Sequence, residues 1–215
     1  MNVNSNQKSN KKKIPNKEVI LKTAYGLFLK KGYQSVSIKD IMEASNLSKG
    51  GIYHHFESKE GILFEVLNQY FFKALDIDKS IFDGITFKQR IKKVYRLGVS
   101  LFEMVESMGK SGVKYPINSL YLFQLECESF PQIRKQFKAT SMAYRALIEN
   151  LVIEGIQNKE VKKELNPEVI SYQIIGMIEG IAIHQSTAKD NVGPMLLQNY
   201  ESVFESYFKF ICLDS

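Results

Sequence analysis

Residues 37–59 read SIKDIMEASNLSKGGIYHHFESK, and this stretch decides how the rest of the chain is understood. Ser37-Ile38-Lys39-Asp40 has the capping-box form, a hydroxyl at the cap and a carboxylate three residues on. It predicts a short helix with apolar positions Ile38, Ile41 and Ala44, ended by Asn46. Leu47 then plugs into a core, and Ser48 caps a second short helix that runs to about His54. Two short capped helices joined by a three- or four-residue turn form a helix-turn-helix pattern. In that motif the second helix lies in the major groove of DNA and its N-terminal residues reach the base edges.

The second helix, Ser48-Lys49-Gly50-Gly51-Ile52-Tyr53-His54-His55, is a poor helix former, since each glycine costs about 1 kcal/mol relative to alanine. Glycine lets a backbone approach another surface closely, and such a local inconsistency marks a functional surface more often than a core. A cation, a phenol and two imidazoles surround it, all able to hydrogen-bond phosphate or base edges. Tyr53 has a competing reading as a packing residue of the head. Adjacent His54 and His55 cannot both point squarely into one groove, and His54 is the preferred one. The pair lacks a third ligand at matching spacing, so no metal is expected there.

Outward from this stretch, the charge pattern agrees. The 215-residue chain has a net charge of +6, and residues 1–60 hold eleven Lys against five Asp or Glu. The remainder is balanced, with eighteen basic and eighteen acidic groups. A basic module joined to a neutral body is the pattern of a protein whose one end meets a polyanion. Residues 1–14 are polar and read as a disordered basic arm, which is equally a simple solvated tail. Pro15 can open a first helix that carries Ile20, Ala24, Leu27 and Phe28 and stops at Gly32.

Beyond Ser58, which caps a fourth helix, the pattern stays helical. Helices are expected over about Thr86–Met108, ending in a Gly109–Gly112 turn, over Pro116–Glu128 and over Pro131–Gln157. Two more follow, from the Asn166-Pro167-Glu168 cap to about Gln185 and from near Pro194 onward. The fold class is all-α with about nine helices: a three-helix DNA-binding head over 15–60 and a helical ligand-binding and dimerisation bundle over 61–215. No run reaches the ~20 apolar residues of a membrane span, and residues 1–13 lack the apolar stretch of a secretory signal. Cys127 and Cys212 suggest neither a disulfide framework nor a metal site. The chain reads as cytoplasmic, without cofactor.

The ordered series Ala24, Phe28, Gly32-Tyr33, Ser37-Ile38-x-Asp40-Ile41, Ala44, Leu47-Ser48-Lys49-Gly50, Ile52-Tyr53-x-x-Phe56 and Ser58-Lys59 resembles the DNA-binding region of the tetracycline-repressor (TetR/AcrR) family. The resemblance implies a homodimer with helix-turn-helix heads and a helical ligand-binding body, in which a ligand shifts the spacing of the heads. Carried over, Ser37 and Lys39 lie where the second helix meets DNA. Ser48, Lys49, Gly50, Gly51, Tyr53 and His54 form the reading surface, and Lys59 contacts a phosphate. Ile41, Leu47, Ile52 and Phe56 become core. Gly51 departs from the pattern, standing where many relatives have a side chain that touches bases, so DNA shape gains weight in recognition. Val36 replaces the Thr often found before Ser37.

In the body, apolar and aromatic residues between helices can line a cavity. Phe102, Tyr121, Gln124, Tyr144, Gln173 and Met177 are the candidate ligand-binding residues, and an apolar or aromatic effector is expected over a polycation. The last two helices, with Gly176 and Gly180 permitting close approach, are the candidate dimer surface. The leading reading is a repressor of a roughly palindromic double-stranded DNA operator, released by a small molecule. The alternative is a DNA-binding regulator or DNA-organising protein controlled by a protein partner. No catalytic signature is present; His184 reads as a core or interface residue and Cys127 as a buried one.

Overall fold

The computed structural model describes residues 16–107 and 113–213. The expected basic arm, Pro15, Met108 and the Gly109–Gly112 turn lie outside the described residues. Three serines set the register of the head. Ser37 accepts from Asp40 N at 3.2 Å and starts α2 (Ile38–Ser45), while the Asp40 carboxylate accepts from Ser37 N at 2.8 Å, closing the capping box. Ser48 accepts from Gly51 N at 3.1 Å and starts α3 (Lys49–Tyr53). Ser58 accepts from Gly61 N at 3.0 Å and starts α4 (Lys59–Leu67). Each such cap contributes about 1 kcal/mol. Asn46 ends α2 in the left-handed conformation, φ 55°, which asparagine adopts more readily than most residues.

Helix α1 (Asn16–Lys31) supplies the other wall of the head, burying Ile20, Leu21, Ala24, Tyr25, Phe28 and Leu29. Against it lie Ile41 of α2, Ile52 of α3, Phe56, and Ile62, Leu63 and Val66 of α4. Leu47 is partly buried against the same core. Ala44, expected on the apolar face, is exposed, because α2 turns only Ile41 fully inward. The boundary expected at residue 60 falls at the start of α4, whose first half completes the core of the head.

Helix α4 continues past Leu67 through a π turn (Asn68–Phe72) into a last helical turn (Lys73–Leu75). The wider turn serves two neighbours at once. Tyr70 stacks on Tyr25 of α1 at 5.0 Å, while consecutive Phe71 and Phe72 both meet Phe137 at 5.0 Å. A regular helix turns successive side chains about 100° apart; the π turn is a familiar local departure from that spacing.

The body follows: α5 (Phe87–Ser107), α6 (Pro116–Cys127), α7 (Pro131–Gln157), α8 (Pro167–His184) and α9 (Val192–Ile211). Helix α5 packs along α9 and α7 along α8, with α6 wedged between the body and α1. Asn166 caps α8 by accepting from Glu168 N at 2.9 Å, as its sequence predicts. Helix α9 begins at Val192, two residues before the expected Pro194, after Asn191 turns the chain with φ 52°. The fold is all-α with nine helices among the described residues, counting α4 and its extension as one. None of them is long and apolar enough to cross a membrane.

Candidate nucleic-acid interface

Helix α3 hides one side chain and shows the rest. Ile52 is fully buried, while Ser48, Lys49, Gly50, Tyr53 and His54 are exposed and Gly51 is half-exposed. Tyr53 is 44% exposed, so its phenol is available to a partner and does not pack in the head. The Lys49 ammonium sits 5.8 Å from the Tyr53 ring centroid and has no ion-pair partner among the described residues. A Cβ placed on Gly50 meets nothing within 4 Å, and one on Gly51 meets only the Ser48 hydroxyl and Leu47, at 3.4 and 3.9 Å. Packing among the described residues therefore does not require Gly50.

The remaining predicted contact residues divide. Lys39 is 82% exposed at its side chain and only loosely paired with Glu43, at 3.8 Å. The Ser37 hydroxyl is engaged locally, accepting from Asp40 N and donating to the Asp40 carboxylate. Asp40 also holds Lys31 at 2.9 Å, and these hydrogen bonds, the one from Ser37 foremost, keep its carboxyl well below the usual carboxylate range. Lys59 points inward. Its ammonium donates to the carbonyls of Tyr33 at 3.0 Å, Gln34 at 3.5 Å and Val36 at 2.8 Å, and lies 4.2 Å from the Tyr33 ring centroid. An ammonium has three donors, so this geometry makes Lys59 the pillar of the α1–α2 turn, in place of the phosphate contact expected from sequence.

The same turn is held from its other side by a residue the sequence did not mark. Glu126, near the end of α6, accepts from Tyr33 N at 2.7 Å and Gln34 N at 2.8 Å. The N–H groups of the turn thus face a carboxylate from the body, and its carbonyls face an ammonium from α4. Gly32, with φ 79°, lets the chain leave α1 at this point, and a Cβ there would stand 3.0 Å from the Glu126 carboxylate. Aromatic contacts thicken the junction: Phe123 of α6 meets Tyr25 and Phe28, and Phe130 meets Tyr33 edge-on at 5.3 Å.

Helix α6 also forms part of a cavity of about 140 Å³ in the body. Of the six residues expected to bind a ligand, Phe102, Tyr121, Gln124 and Tyr144 line it. Gln173 does not; it is exposed and accepts from Tyr207 OH at 2.5 Å. Met177 packs partly buried against the core and is also absent from the lining. Phe71, Phe137 and Glu179 are among the further lining residues that the sequence reading did not name.

On the outer side of α8, Val169, Tyr172 and Ile183 are more than half exposed, in line with Gly176 and Gly180. A Cβ on either glycine meets nothing within 4 Å. Val203 and Phe210 of α9 are likewise exposed. His184 lies on the surface at the end of α8, not in the core. Cys127 is fully buried, and burial pushes its thiol up to about 12, which leaves it unreactive at neutral pH.

Residues 20–66, the head and most of α4, match the family model described as bacterial regulatory proteins, tetR family. Over these residues the chain carries the DNA-binding region of that family. It is a DNA-binding transcriptional regulator. Among curated relatives, the chain is 21% identical over 178 residues to the HTH-type transcriptional repressor DhaR of Mycobacterium sp. (strain GP1), covering 83% of this chain and 86% of DhaR. A transcriptional regulator from Saccharomonospora viridis, solved in complex with choline, shares the fold with a TM-score of 0.68 at 20% identity, covering 92% of this chain and 98% of that one. The regulator FadR of Bacillus subtilis, solved with stearoyl-CoA, aligns with a TM-score of 0.60 at 20% identity over 84% of this chain and 95% of its own.

Proposed function

We propose that this regulator is a TetR-family repressor that binds a roughly palindromic operator as a homodimer and is released by a small molecule held in the body cavity. The observation that carries the reading is the surface of α3: a capped helix that buries Ile52 alone and presents Ser48, Lys49, Gly50, Tyr53 and His54 outward. Gly51 lies beside them, and Lys39 of α2 is also exposed. Lys59 acts one step back, fixing the turn from which α2 departs. Dimerisation through α8 and α9 is supported by their exposed apolar side chains and by the vacant space over Gly176 and Gly180. That DhaR carries the name repressor, and that two structural neighbours were solved with small molecules, agrees with this reading.

The release route is proposed to run through α6. Tyr121 and Gln124 line the cavity, and Glu126, on the same helix, grips the turn that leads into α2. A ligand that displaces α6 therefore moves the head without touching it. This requires the ligand to bind one arrangement of α6 better than the other.

Selection of bound sites from random DNA tests the proposal. Enriched sites should contain two inverted half-sites about one helical turn, roughly 34–36 Å, or a multiple of it apart, and affinity should fall steeply with salt. Recovery of unenriched DNA would instead favour a DNA-organising role. A second expectation separates packing from contact at α3. Gly50→Ala should keep or slightly raise the melting temperature, because alanine favours helix and its Cβ meets nothing. Its operator affinity should nevertheless drop about tenfold or more if DNA closes on that space. Paired melting and DNA titration curves check this; unchanged affinity would place Gly50 outside the interface.

A further inference from the structure

The cavity contains one charged group among its lining residues, and it is an acid. Glu179 of α8, exposed as a residue, borders a space walled by the rings of Phe71, Phe102, Tyr121, Phe137 and Tyr144. Its carboxylate makes no hydrogen bond or ion pair among the described residues; the ion pairs of the body join Arg90, Lys92, Arg96 and Arg145 to other acids. Lys73 and Lys79 line an adjoining surface groove beyond Leu75, Thr140 and Tyr144, and neither lines the cavity.

From this arrangement, and resting on the reading of the cavity as the effector site, the geometry points to a small monocation with apolar bulk, an aryl- or alkyl-substituted ammonium, bound with its charge beside Glu179. A neutral ligand filling the cavity removes water from the cavity side of an unpaired carboxylate and returns no countercharge, which is unfavourable. A cation brings the missing countercharge, and the aromatic walls attract it further through their quadrupoles. An anion meets both unfavourably. Partial loss of water already raises the Glu179 carboxyl above its ordinary range, and burial followed by the Glu179 charge pushes the Tyr121 phenol up to about 12. The phenols therefore stay neutral beside it. A cavity of about 140 Å³ is close to the size that accepts a single aromatic ring, for which ~150 Å³ suffices. Long polycations do not fit.

Titration calorimetry of the full chain with three probes of similar shape tests this: phenyltrimethylammonium, uncharged tert-butylbenzene and anionic benzenesulfonate. Phenyltrimethylammonium should bind at least tenfold more tightly than either other probe. Glu179→Gln should lose at least tenfold in affinity for the cation, keep or improve binding of tert-butylbenzene, and melt at the wild-type temperature, since the carboxylate holds no partner. Equal or tighter binding of the neutral or anionic probe, or full retention of cation affinity in Glu179→Gln, overturns the cation assignment. If tert-butylbenzene alone binds, the cavity remains the effector site and only its charge preference is wrong. If none of the three binds, the cavity reading fails together with the cation assignment.

Discussion

Gly180→Arg should turn the regulator into a folded monomer and weaken operator binding by about 10²–10⁴-fold. Among the described residues nothing lies within 4 Å of a Cβ placed on Gly180, so an arginine there has room in the isolated protomer. In a helix interior, replacing glycine also removes an unfavourable residue, for a gain of roughly 0.5–1 kcal/mol. The folded state of the protomer should therefore not suffer. A close partner helix, by contrast, meets a long charged side chain where it had met a bare backbone. The exposed apolar side chains Val169, Tyr172 and Ile183 of α8, with Val203 and Phe210 of α9, are the surface proposed to meet that partner. Loss of the partner removes the second head, and with it the effective concentration that makes binding of the second half-site nearly free, an effect worth about 10²–10⁴ in affinity. Analytical ultracentrifugation should give a mass near the 24.7 kDa of one chain in place of twice that value. A variant that still sediments as a dimer would move the interface away from the α8–α9 face.

Glu126→Ala should disconnect the body from the head. The carboxylate serves two adjacent backbone N–H groups, at 2.7 and 2.8 Å, and hydrogen bonds to a charged group are each worth about 1.5–3 kcal/mol. Partial exposure reduces that, so a combined loss of about 2–4 kcal/mol is reasonable, which in a chain of this size lowers the melting temperature by roughly 5–15 °C. The amides of Tyr33 and Gln34 should lose protection from hydrogen exchange, while those of α3 keep it. Operator binding should survive in weakened form, because Lys59 still holds the carbonyls of the turn. A compound that releases the wild-type protein from its selected operator should then need at least tenfold higher concentration to release the variant. An unchanged release curve with intact folding would show that the signal bypasses Glu126.

The difference between what local sequence shows and what only the folded chain shows is clearest at these residues. Ser37, Ser48, Ser58 and Asn166 were legible as caps because a cap is an interaction within three residues, and each forms as the sequence predicts. The exposed face of α3 was legible too, since two glycines beside polar side chains leave Ile52 as the one residue able to anchor it. The engagement of Lys59 with the α1–α2 turn spans more than twenty residues, and that of Glu126 more than ninety, so no local pattern announces either. The π turn after Leu67 is likewise a tertiary outcome, produced where one helix must serve both head and body.

Helix α8 explains the mixed result for the cavity. Its sequence, PEVISYQIIGMIEGIAIH, is apolar on nearly every side, so periodicity does not reveal which face looks inward. Gln173 and Met177 were assigned to the cavity on residue type alone, and the helix turns Ile178, Glu179 and Ala182 toward it instead. An acid within so apolar a helix, Glu179, is the one local sign of that face. With Glu179 in the wall, the apolar or aromatic effector expected from sequence gains a positive charge.

The most direct test of the central claim is operator binding by the triple variant Lys49→Ala, Tyr53→Ala, His54→Ala, compared with the wild type on the selected site and on scrambled DNA. All three side chains are exposed, so the variant should fold and dimerise like the parent. The account predicts that preference for the selected site collapses toward that for scrambled DNA, with affinity for the site down at least a hundredfold. A triple variant that binds the selected site as tightly and as selectively as the wild type would contradict the assignment of α3 as the reading helix.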